Sequence, residues 1–302
     1  MDAEGTRTVP GRPDAMSRRF ELDRPRLRAV AYRILGSLSE ADDALQEAWL
    51  RADRADTSGV DNPSGWLTTV VARVCLNLLR TRDTRREDPL DDGARTQVAR
   101  TGTGADPAEE AQLAEEVGIA LLIVLDTLGP AERLAFVLHD MLDVPFDDIA
   151  AMLDKTPAAT RQLANRARRR VRGVPAPAAD LPRRRRAVDA YLAATRGGDF
   201  DALVALLHPD VVLHADAAVV PTPEPFAVSG VEPVARGAMA SMARARFTGA
   251  VLVDGRVGLA MAEHGRLRVV LRFDFAADGR ITGIDVIAEP ARLNELDITG
   301  IG

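Results

Sequence analysis

Apolar side chains recur every three or four positions in two stretches, residues 24–86 and residues 113–173, a pattern typical of amphipathic helices. In residues 24–35 they form one stripe made of Leu27, Val30, Ala31, Ile34 and Leu35. Gly36 ends this predicted helix, and Ser39 is the predicted cap of a second helix over residues 39–52. A third helix is predicted from residue 64 to about residue 86. These segments predict an all-α domain over residues 20–86.

A second all-α domain is predicted over residues 113–173. Its apolar pattern covers residues 120–125, turns at residues 128–130 and continues through residues 133–139. Two short helices then follow, joined by a tight turn at Asp154-Lys155. Thr156 is the predicted N-cap of the second of these helices, and Pro157 is its first residue, where a missing N–H costs nothing. Residues 145–172 therefore predict a helix-turn-helix.

The buried faces of these two short helices follow from helical spacing. They consist of Phe146, Ile149, Ala150, Leu153, Leu163, Ala167 and Val171. The opposite face of the second helix carries Arg161, Gln162, Asn165, Arg166 and Arg169. Arg, Gln and Asn make bidentate contacts to base edges in the major groove, so this face is typical of a recognition helix. The alternative is a basic helix that only faces solvent.

The pattern changes after the Pro/Ala-rich segment 174–182, which we interpret as a linker. In residues 183–302 two helices, at 183–196 and 200–207, precede runs with strand character and a further helix at about 232–244. The predicted strands cover residues 211–214, 250–253, 257–261, 267–275 and 281–288. Asp-Gly and His-Gly turns separate the later strands. The third domain is therefore predicted to be α+β, with a curved antiparallel sheet on helices.

Charge, cysteine content and motifs limit the classes of function that are possible for this chain. The 302 residues carry a formal net charge of −6, yet residues 155–172 contain seven basic side chains and no acidic one. An acidic protein with such a basic face can bind DNA with a strong dependence on salt. The single cysteine, Cys75, excludes a disulfide framework, and no metal-ligand spacing or cofactor motif is present. No signal peptide or membrane anchor is predicted, so we expect a cytoplasmic protein.

Three motifs in the helical part resemble the extracytoplasmic-function (group IV) sigma factors of bacterial RNA polymerase. The first is Glu-Ala-Asp-Asp-Ala-Leu-Gln-Glu-Ala-Trp-Leu at residues 40–50. The second is Asn-Pro-Ser-Gly-Trp-Leu-Thr-Thr-Val-Val at residues 62–71, and the third is Leu-Gly-Pro-Ala-Glu-Arg at residues 128–133, before the helix-turn-helix. The resemblance implies transcription initiation: binding of core RNA polymerase, recognition of the −35 and −10 promoter elements, and promoter melting.

The resemblance also assigns roles to residues. The 40–52 helix would bind the β′ coiled coil of core polymerase, and the second helical domain would meet its β flap. The expected polymerase-binding residues are Asp42, Asp43, Leu45, Gln46, Glu47 and Leu50. The expected −10 residues are Asn62, Trp66, Arg73, Asn77 and Arg80, and the expected −35 residues are Thr156, Arg161, Gln162, Asn165, Arg166 and Arg169. A plain amphipathic helix is the alternative for residues 40–52.

Two of these roles, those of Trp66 and of residues 87–112, leave two interpretations open. Trp66 starts an apolar run, where a tryptophan is either part of the core or a wedge that stacks on a base. Residues 87–112 are acidic and broken by glycine and proline, so we interpret them as a flexible linker. This linker either follows the RNA exit path of the polymerase, as in the family, or is a solvated spacer.

The α+β domain resembles SnoaL-like members of the nuclear transport factor 2 superfamily, a cone with a pocket in its open end. The resemblance lies in residues 187–213 and implies a fused domain that contacts the sigma domains and modulates them, with room for an unknown small ligand. In family motifs near residues 216 and 289–293 only Asp216, Pro290 and Leu293 persist here. His214 and Asp216, two apart on a predicted strand, would face one side as an acid–base pair or as a polar surface contact.

A second hypothesis is a small-molecule-binding or isomerase-like cone domain joined to an ordinary DNA-binding repressor. A repressor has no need of the 40–52 helix together with the 62–80 segment. We therefore predict a sigma factor that is not an enzyme.

Overall fold

The computed structural model describes residues 15–57, 59–87, 112–114, 117–173, 180–219 and 224–301. The first helical domain contains α1 (Ala15–Leu35), α2 (Leu38–Asp53) and α3 (Pro63–Glu87). Helix α1 begins about nine residues before the predicted start. The cap of α2 is Ser37 rather than Ser39, and its hydroxyl accepts the Glu40 N–H at 3.5 Å. Ser39 instead lies in the first turn of α2.

The second helical domain contains α4 (Ile119–Asp126), α5 (Pro130–Phe136), a π-helical turn (Val137–Met141), α6 (Phe146–Leu153) and α7 (Pro157–Arg172). Buried side chains of α1–α3 and of α4–α7 belong to one continuous apolar cluster. Cys75 lies inside this cluster, and burial raises the pKa of its thiol, so it is an inert core residue. The two helical domains are therefore packed against each other.

The third domain is α+β, as predicted. It contains α8 (Leu181–Gly197), α9 (Phe200–Leu206), β1 (Leu207–Ala215), β2 (Phe226–Ser229), α10 (Val231–Ala240), α11 (Met242–Ala245), β3 (Thr248–Val253), β4 (Arg256–Glu263), β5 (Arg266–Phe275), β6 (Ile281–Ile287), α12 (Pro290–Glu295) and β7 (Ile298–Thr299). The strands form one open sheet in the order β2-β1-β6-β5-β4-β3-β7.

Two features of this sheet differ from the sequence prediction. Strands β1 and β6 pair in parallel, with Leu213 opposite Ile284, so the sheet is mixed rather than antiparallel. Strands β2 and β7 were not predicted, because two to four residues carry too little alternation to be distinguished from a turn. The direction of β1 relative to β6 depends on chain segments about 70 residues apart, which local patterns do not report.

The two predicted linkers lie largely outside the described residues. Residues 88–111 of the acidic segment and residues 174–179 of the Pro/Ala segment are not described. Helix α8 begins at Leu181, inside the segment that was assigned to the second linker. Pro182 occupies the second position of this helix, where its missing N–H leaves no hydrogen bond unmade.

One face of the sheet packs on the helical domains. Ile123 of α4 joins an apolar cluster with side chains of the sheet and of α12, namely Val251, Val253, Ala260, Ala262, Val270, Ile287, Leu293 and Ile298. The opposite face packs on the helices of its own domain, with Tyr191 edge-on to Phe273 at 5.3 Å. A backbone close approach occurs at Gly249, where a Cβ would lie 3.0 Å from the Ala120 nitrogen. The third domain is therefore docked on α4 through its sheet.

Candidate nucleic-acid interface

The helix-turn-helix forms as the sequence predicts. Helix α6 ends at Asp154, which adopts the left-handed conformation with φ 54° and ψ 46°. Thr156 caps α7 by accepting the Ala159 N–H on its hydroxyl at 3.2 Å. Leu163, Ala164 and Ala167 turn inward, whereas the predicted −35 residues are exposed: Thr156, Arg161, Gln162, Asn165, Arg166 and Arg169. The predicted DNA-reading side chains therefore share one outer face.

Neighbouring side chains orient several of these groups. Arg166 donates to Glu132 at 2.6 Å, and Asn165 accepts from Arg168 at 2.7 Å. The guanidinium of Arg161 lies 5.5 Å from the centre of the Phe146 ring, and the His139 ring lies 3.7 Å from that ring on centroids. Phe146 is partly buried and packs against the helical core.

The C-terminal end of α7 touches the third domain. The Gly300 N–H donates to the Arg170 carbonyl at 2.9 Å, and the Arg170 guanidinium donates to the Thr127 carbonyl at 2.9 Å. Arg170 therefore joins α7, the end of α4 and the strand β7 region.

The predicted −10 residues lie along α3 but in different surroundings. Asn62 acts as a helix cap, since its side-chain oxygen accepts the Gly65 N–H at 3.0 Å. Trp66 is partly buried against the helical core, which agrees with the core alternative. Arg73, Asn77 and Arg80 are exposed along one face. Arg73 donates to the Ala151 carbonyl of α6 at 3.5 Å, so this face lies beside the helix-turn-helix.

The predicted polymerase-binding face of α2 is present with one exception. Asp42, Asp43, Gln46 and Leu50 are exposed and Glu47 is half-buried. Asp42 accepts two hydrogen bonds from Arg28 of α1, at 2.6 and 2.8 Å. Leu45 is 1% exposed, so its assignment as a surface anchor is wrong. The helical period places it with Ala41, Ala44 and Ala48 on the inner stripe of α2.

The sequence did not predict that a leucine of α1 is exposed. Leu22 is 75% exposed, and Leu50 of α2 is 46% exposed. The rings of Phe20 and Trp49 are 5.1 Å apart, which places this part of α1 alongside the end of α2. Leu22 lies off the apolar stripe of α1, and that departure is the signal in the sequence that identifies it.

Comparisons with known proteins decide the family. Residues 20–85 match the family model for Sigma-70 region 2, and residues 113–171 match that for Sigma-70, region 4. The probable ECF RNA polymerase sigma factor SigI of Mycobacterium tuberculosis is 34% identical over 285 residues, which cover 94% of this chain and 96% of the relative. The chain belongs to the ECF RNA polymerase sigma factors. It is therefore a transcription initiation factor that binds core RNA polymerase and promoter DNA.

The chain is also similar to SigJ and, in its third domain alone, to a solved SnoaL-like structure. The ECF RNA polymerase sigma factor SigJ of Mycobacterium tuberculosis is 42% identical over 200 residues, which span 66% of this chain and 64% of SigJ. The crystal structure of SigJ covers 91% of this chain and 97% of that chain, at 32% identity and a TM-score of 0.42. A SnoaL-like protein from Burkholderia thailandensis covers 36% of this chain and 96% of its own, at 14% identity and a TM-score of 0.28.

The third domain of this sigma factor reaches both helical domains through the β4–β5 hairpin. Gly265 at the hairpin tip lies against Gly36, which joins α1 to α2. Arg266 pairs with Glu40 of α2 at 3.0 Å, and Glu40 also pairs with Arg82 of α3. This side of the hairpin therefore contacts region 2.

The next residue of the hairpin contacts region 4. The Leu267 N–H donates to the Asp126 carboxylate at 2.8 Å, and Asp126 pairs with Arg133 at 3.6 Å. Arg133 is 1% exposed. Charged groups this deeply buried are stable only when paired, so the hairpin, Asp126 and Arg133 form one coupled unit. This unit was not predictable from local sequence patterns, because its members come from three separate segments.

The structure separates the two residues of the predicted acid–base pair. His214 is exposed on β1, whereas Asp216 is 4% exposed beyond the strand end. Asp216 accepts the N–H groups of Ala288 at 2.9 Å and Glu289 at 2.8 Å. The predicted acid–base pair is therefore wrong. Residues two apart face the same side only when both belong to one strand, and β1 ends at Ala215.

Asp216 instead joins the other predicted regulatory residues. It holds the chain where α12 begins at Pro290, and it lies 3.6 Å from Arg292. Leu293 on the same helix is buried in the cluster that includes Ile123 of α4. Asp216, Pro290 and Leu293 therefore form one structural unit beside the contact with region 4.

A groove of about 680 Å³ lies on the sheet of the third domain. Its lining includes His214, Asp254, Arg256, Arg272, Asp274 and Asp285. Arg272 pairs with Asp285, and Arg256 lies 3.9 Å from Asp274, so these charges largely neutralise one another. Within the described residues, no group of three His, Cys, Asp or Glu side chains could hold a metal ion, and no helix is long and apolar enough to cross a membrane.

Proposed function

We propose that α7 reads the −35 element, that the exposed face of α3 reads the −10 element, and that the third domain restrains both. The capped, exposed Arg/Gln/Asn face of α7 supports the first assignment, because a recognition helix enters the major groove through its N-terminal half. Arg161 and Arg166 are the principal candidates for base contacts. Asn77 and Arg80 of α3 are the principal −10 candidates, with Asn62 and Trp66 serving the helix start and the core.

Membership of the family implies binding to core polymerase, and we propose which surfaces of the chain make the contacts. The α2 face formed by Asp42, Asp43, Gln46, Glu47 and Leu50 would bind the β′ coiled coil, and region 4 would bind the β flap. An acidic rim around an exposed leucine suits a basic partner helix, because charge steers the encounter and the apolar contact adds affinity.

The contacts of the β4–β5 hairpin support the proposed regulation by the third domain. One short hairpin contacts Gly36 and Glu40 of region 2 and Asp126 of region 4. Arg73, a −10 candidate, is bonded to α6 in the same arrangement. Two promoter elements at separate places on DNA require two domains that can move apart. We therefore propose that the arrangement described here is a restrained state, which opens for promoter recognition.

In vitro transcription tests this proposal directly. The full chain, a chain ending at Gly173 and a chain ending at Pro182 are compared with core polymerase on a selected promoter. Higher output from both short chains supports restraint by the third domain. Output only from the full chain contradicts restraint and makes the domain a required part of initiation. Failure of all three to produce promoter-specific transcripts contradicts the −35 and −10 assignments.

Binding, rather than catalysis, accounts for every site residue assigned above, and we expect the protein to act in the cytoplasm, where the polymerase works. A small ligand of the third domain stays a prediction. The groove lined by His214, Arg272 and Asp285 is a concave surface where such a ligand could bind.

A further inference from the structure

Four consecutive arginines stand in the first turns of α8, at residues 183–186. We call them the arginine run. Arg183, Arg185 and Arg186 are exposed and Arg184 is half-buried. None of them belongs to the apolar core of the third domain or to the recognition face of α7.

The stability of the helix does not account for this run. The N-terminal end of a helix carries partial positive charge, so cations placed there are unfavourable, and adjacent arginines also repel one another. Two exposed acidic groups lie beside the run: Asp180 is 3.9 Å from Arg184, and Asp189 is 3.8 Å from Arg185. Such exposed pairs contribute little in salt, so the run keeps an excess of positive charge at the surface.

The run projects from a rigid element. Arg183 donates to the Ala277 carbonyl in the β5–β6 turn at 3.1 Å, and the Arg184 guanidinium lies 5.8 Å from the centre of the Phe275 ring. These contacts attach the first turn of α8 to the sheet. An anion that met the run would therefore find arginines on an ordered helix rather than on a mobile linker.

The run lies at the same end of the third domain as the C-terminus of α7. Strands β3 to β6 are antiparallel neighbours, so the β5–β6 turn and the β3–β4 turn share one end of the sheet. At that end Val253 pairs with Ile298, and Gly300 donates to the Arg170 carbonyl of α7. Gly173 and Asp180 are seven positions apart, which limits their distance to about 25 Å even when the domains open, the length of about seven base pairs of DNA.

We propose that the arginine run binds the phosphate backbone of duplex DNA beside the segment that α7 reads. The proposal rests on the proposed −35 role of α7. Guanidinium groups form bidentate hydrogen bonds with phosphates, which matches a run of arginines without base-reading side chains. Arg169 and Arg172 are exposed on α7, so basic side chains continue along α7 to the end that adjoins the third domain. This continuity favours DNA over an anionic membrane.

A matched pair of triple variants tests the proposal in the full chain assembled with core polymerase. The first variant carries R183Q, R185Q and R186Q. The control carries R236Q, R244Q and R246Q, three exposed arginines of α10, α11 and the residue that follows, with the same change in charge. Affinity for a promoter duplex is measured at several salt concentrations. Each lost phosphate contact lowers the slope of log K against log salt by about 0.9, so the first variant should lose about 2–3 units of slope and the control none.

The length of the duplex and its sequence provide two further readouts. On a duplex that ends at the edges of the −35 element, the first variant and the unsubstituted protein should bind with equal affinity. When about ten base pairs are added on both sides, the first variant should bind more weakly than the unsubstituted protein. The loss should be equal on promoter and unrelated DNA, because phosphate contacts carry no sequence information. Core polymerase binding should be unchanged.

Three results would overturn the proposal. The first is an unchanged salt slope in the R183Q/R185Q/R186Q variant, and the second is an equal loss of slope in the control. The third is an R183Q/R185Q/R186Q variant that binds DNA with full affinity but no longer binds phosphatidylglycerol vesicles. That result would assign the run to a membrane. If R161A does not reduce promoter specificity in the otherwise unsubstituted protein, the −35 assignment of α7 has failed, and this failure is visible separately from the salt slopes.

Discussion

Gly265 and Gly36 meet backbone to backbone at the junction of the third domain with region 2. A Cβ on Gly265 would lie 2.4 Å from the Gly36 carbonyl carbon and 2.5 Å from its Cα, and a Cβ on Gly36 would lie 2.8 Å from the Gly265 Cα. Both residues have positive φ, at 65° and 76°. Only glycine fits such a contact without displacement of one backbone. The hairpin therefore depends on two glycines for its position between the sigma domains.

Substitution of Gly265 should open this junction. In G265A the added methyl group cannot fit against Gly36, so we expect the hairpin to move away and the contacts of Arg266 and Leu267 to weaken. Transcription with core polymerase should rise several-fold above that of the unsubstituted full chain, and limited proteolysis should cut between the domains more rapidly.

The control is G255A in the β3–β4 turn. Gly255 also has positive φ, at 73°, but a Cβ there would meet nothing within 4 Å. G255A therefore carries the same backbone strain without the steric conflict. Equal effects of G265A and G255A on transcription and proteolysis would show that strain, rather than the contact with Gly36, is responsible.

Removal of the charge on Asp126 should destabilise the protein strongly. D126N leaves the buried Arg133 guanidinium without its carboxylate, and loss of one partner of a buried pair costs about 3–5 kcal/mol. Urea unfolding measures this free energy. The control is E232Q, which removes an exposed partner of Arg236 and should cost less than about 1 kcal/mol. A cost for D126N as small as that for E232Q would contradict the coupled unit.

Loss of the α7 cap should affect both stability and DNA recognition. T156A removes the acceptor of the Ala159 N–H and should lower the free energy of unfolding by about 1 kcal/mol. With the proposed −35 role of α7 it should also weaken −35 binding, since the cap fixes the end of α7 that would enter the groove. D199A removes a comparable cap on α9, where Asp199 accepts the Ala202 N–H at 2.9 Å. D199A should lower stability and leave DNA affinity unchanged, and a parallel loss of affinity would contradict the role of Thr156.

Asp23 should contribute to the acid sensitivity of region 2. Burial raises its pKa, but a hydrogen bond from the Ser64 hydroxyl and the charges of Arg19 and Arg26 outweigh that effect and lower the pKa below its ordinary value. A lowered pKa in the folded state adds stability above the unfolded pKa, and this stability is lost as pH falls through the folded pKa. The loss should therefore begin near pH 4, the ordinary pKa of aspartate.

The variant D23N should flatten this part of the stability curve. Free energies of unfolding measured from pH 6 down to pH 3 should fall less steeply in D23N than in the unsubstituted protein. D61N changes an exposed aspartate close to the start of α3 and serves as the control. If D61N flattens the curve as much as D23N does, the buried contact with Ser64 is not the cause.

The helix-turn-helix was predictable from the sequence because its determinants are local. Thr156 and Pro157 start α7, Asp154 ends α6, and the spacing of Leu163 and Ala167 decides which side chains face outward. Each of these effects acts within one or two helical turns. The same holds for the exposed acidic face of α2, and the helical period with Ala41, Ala44 and Ala48 also places Leu45 inside.

Only the tertiary structure decided how the three domains meet. The contact of Gly36 with Gly265 joins residues 229 positions apart, and the bond from Leu267 to Asp126 joins residues 141 positions apart. The parallel pairing of β1 with β6 and the burial of Asp216 also depend on contacts between segments far apart in the sequence. Local periodicity and capping report which elements form and which faces are apolar. Which apolar face packs on which other face depends on packing summed over the whole chain. The sequence therefore determined the helices, strands and outward-facing side chains of this sigma factor, and the tertiary structure determined how its three domains contact one another.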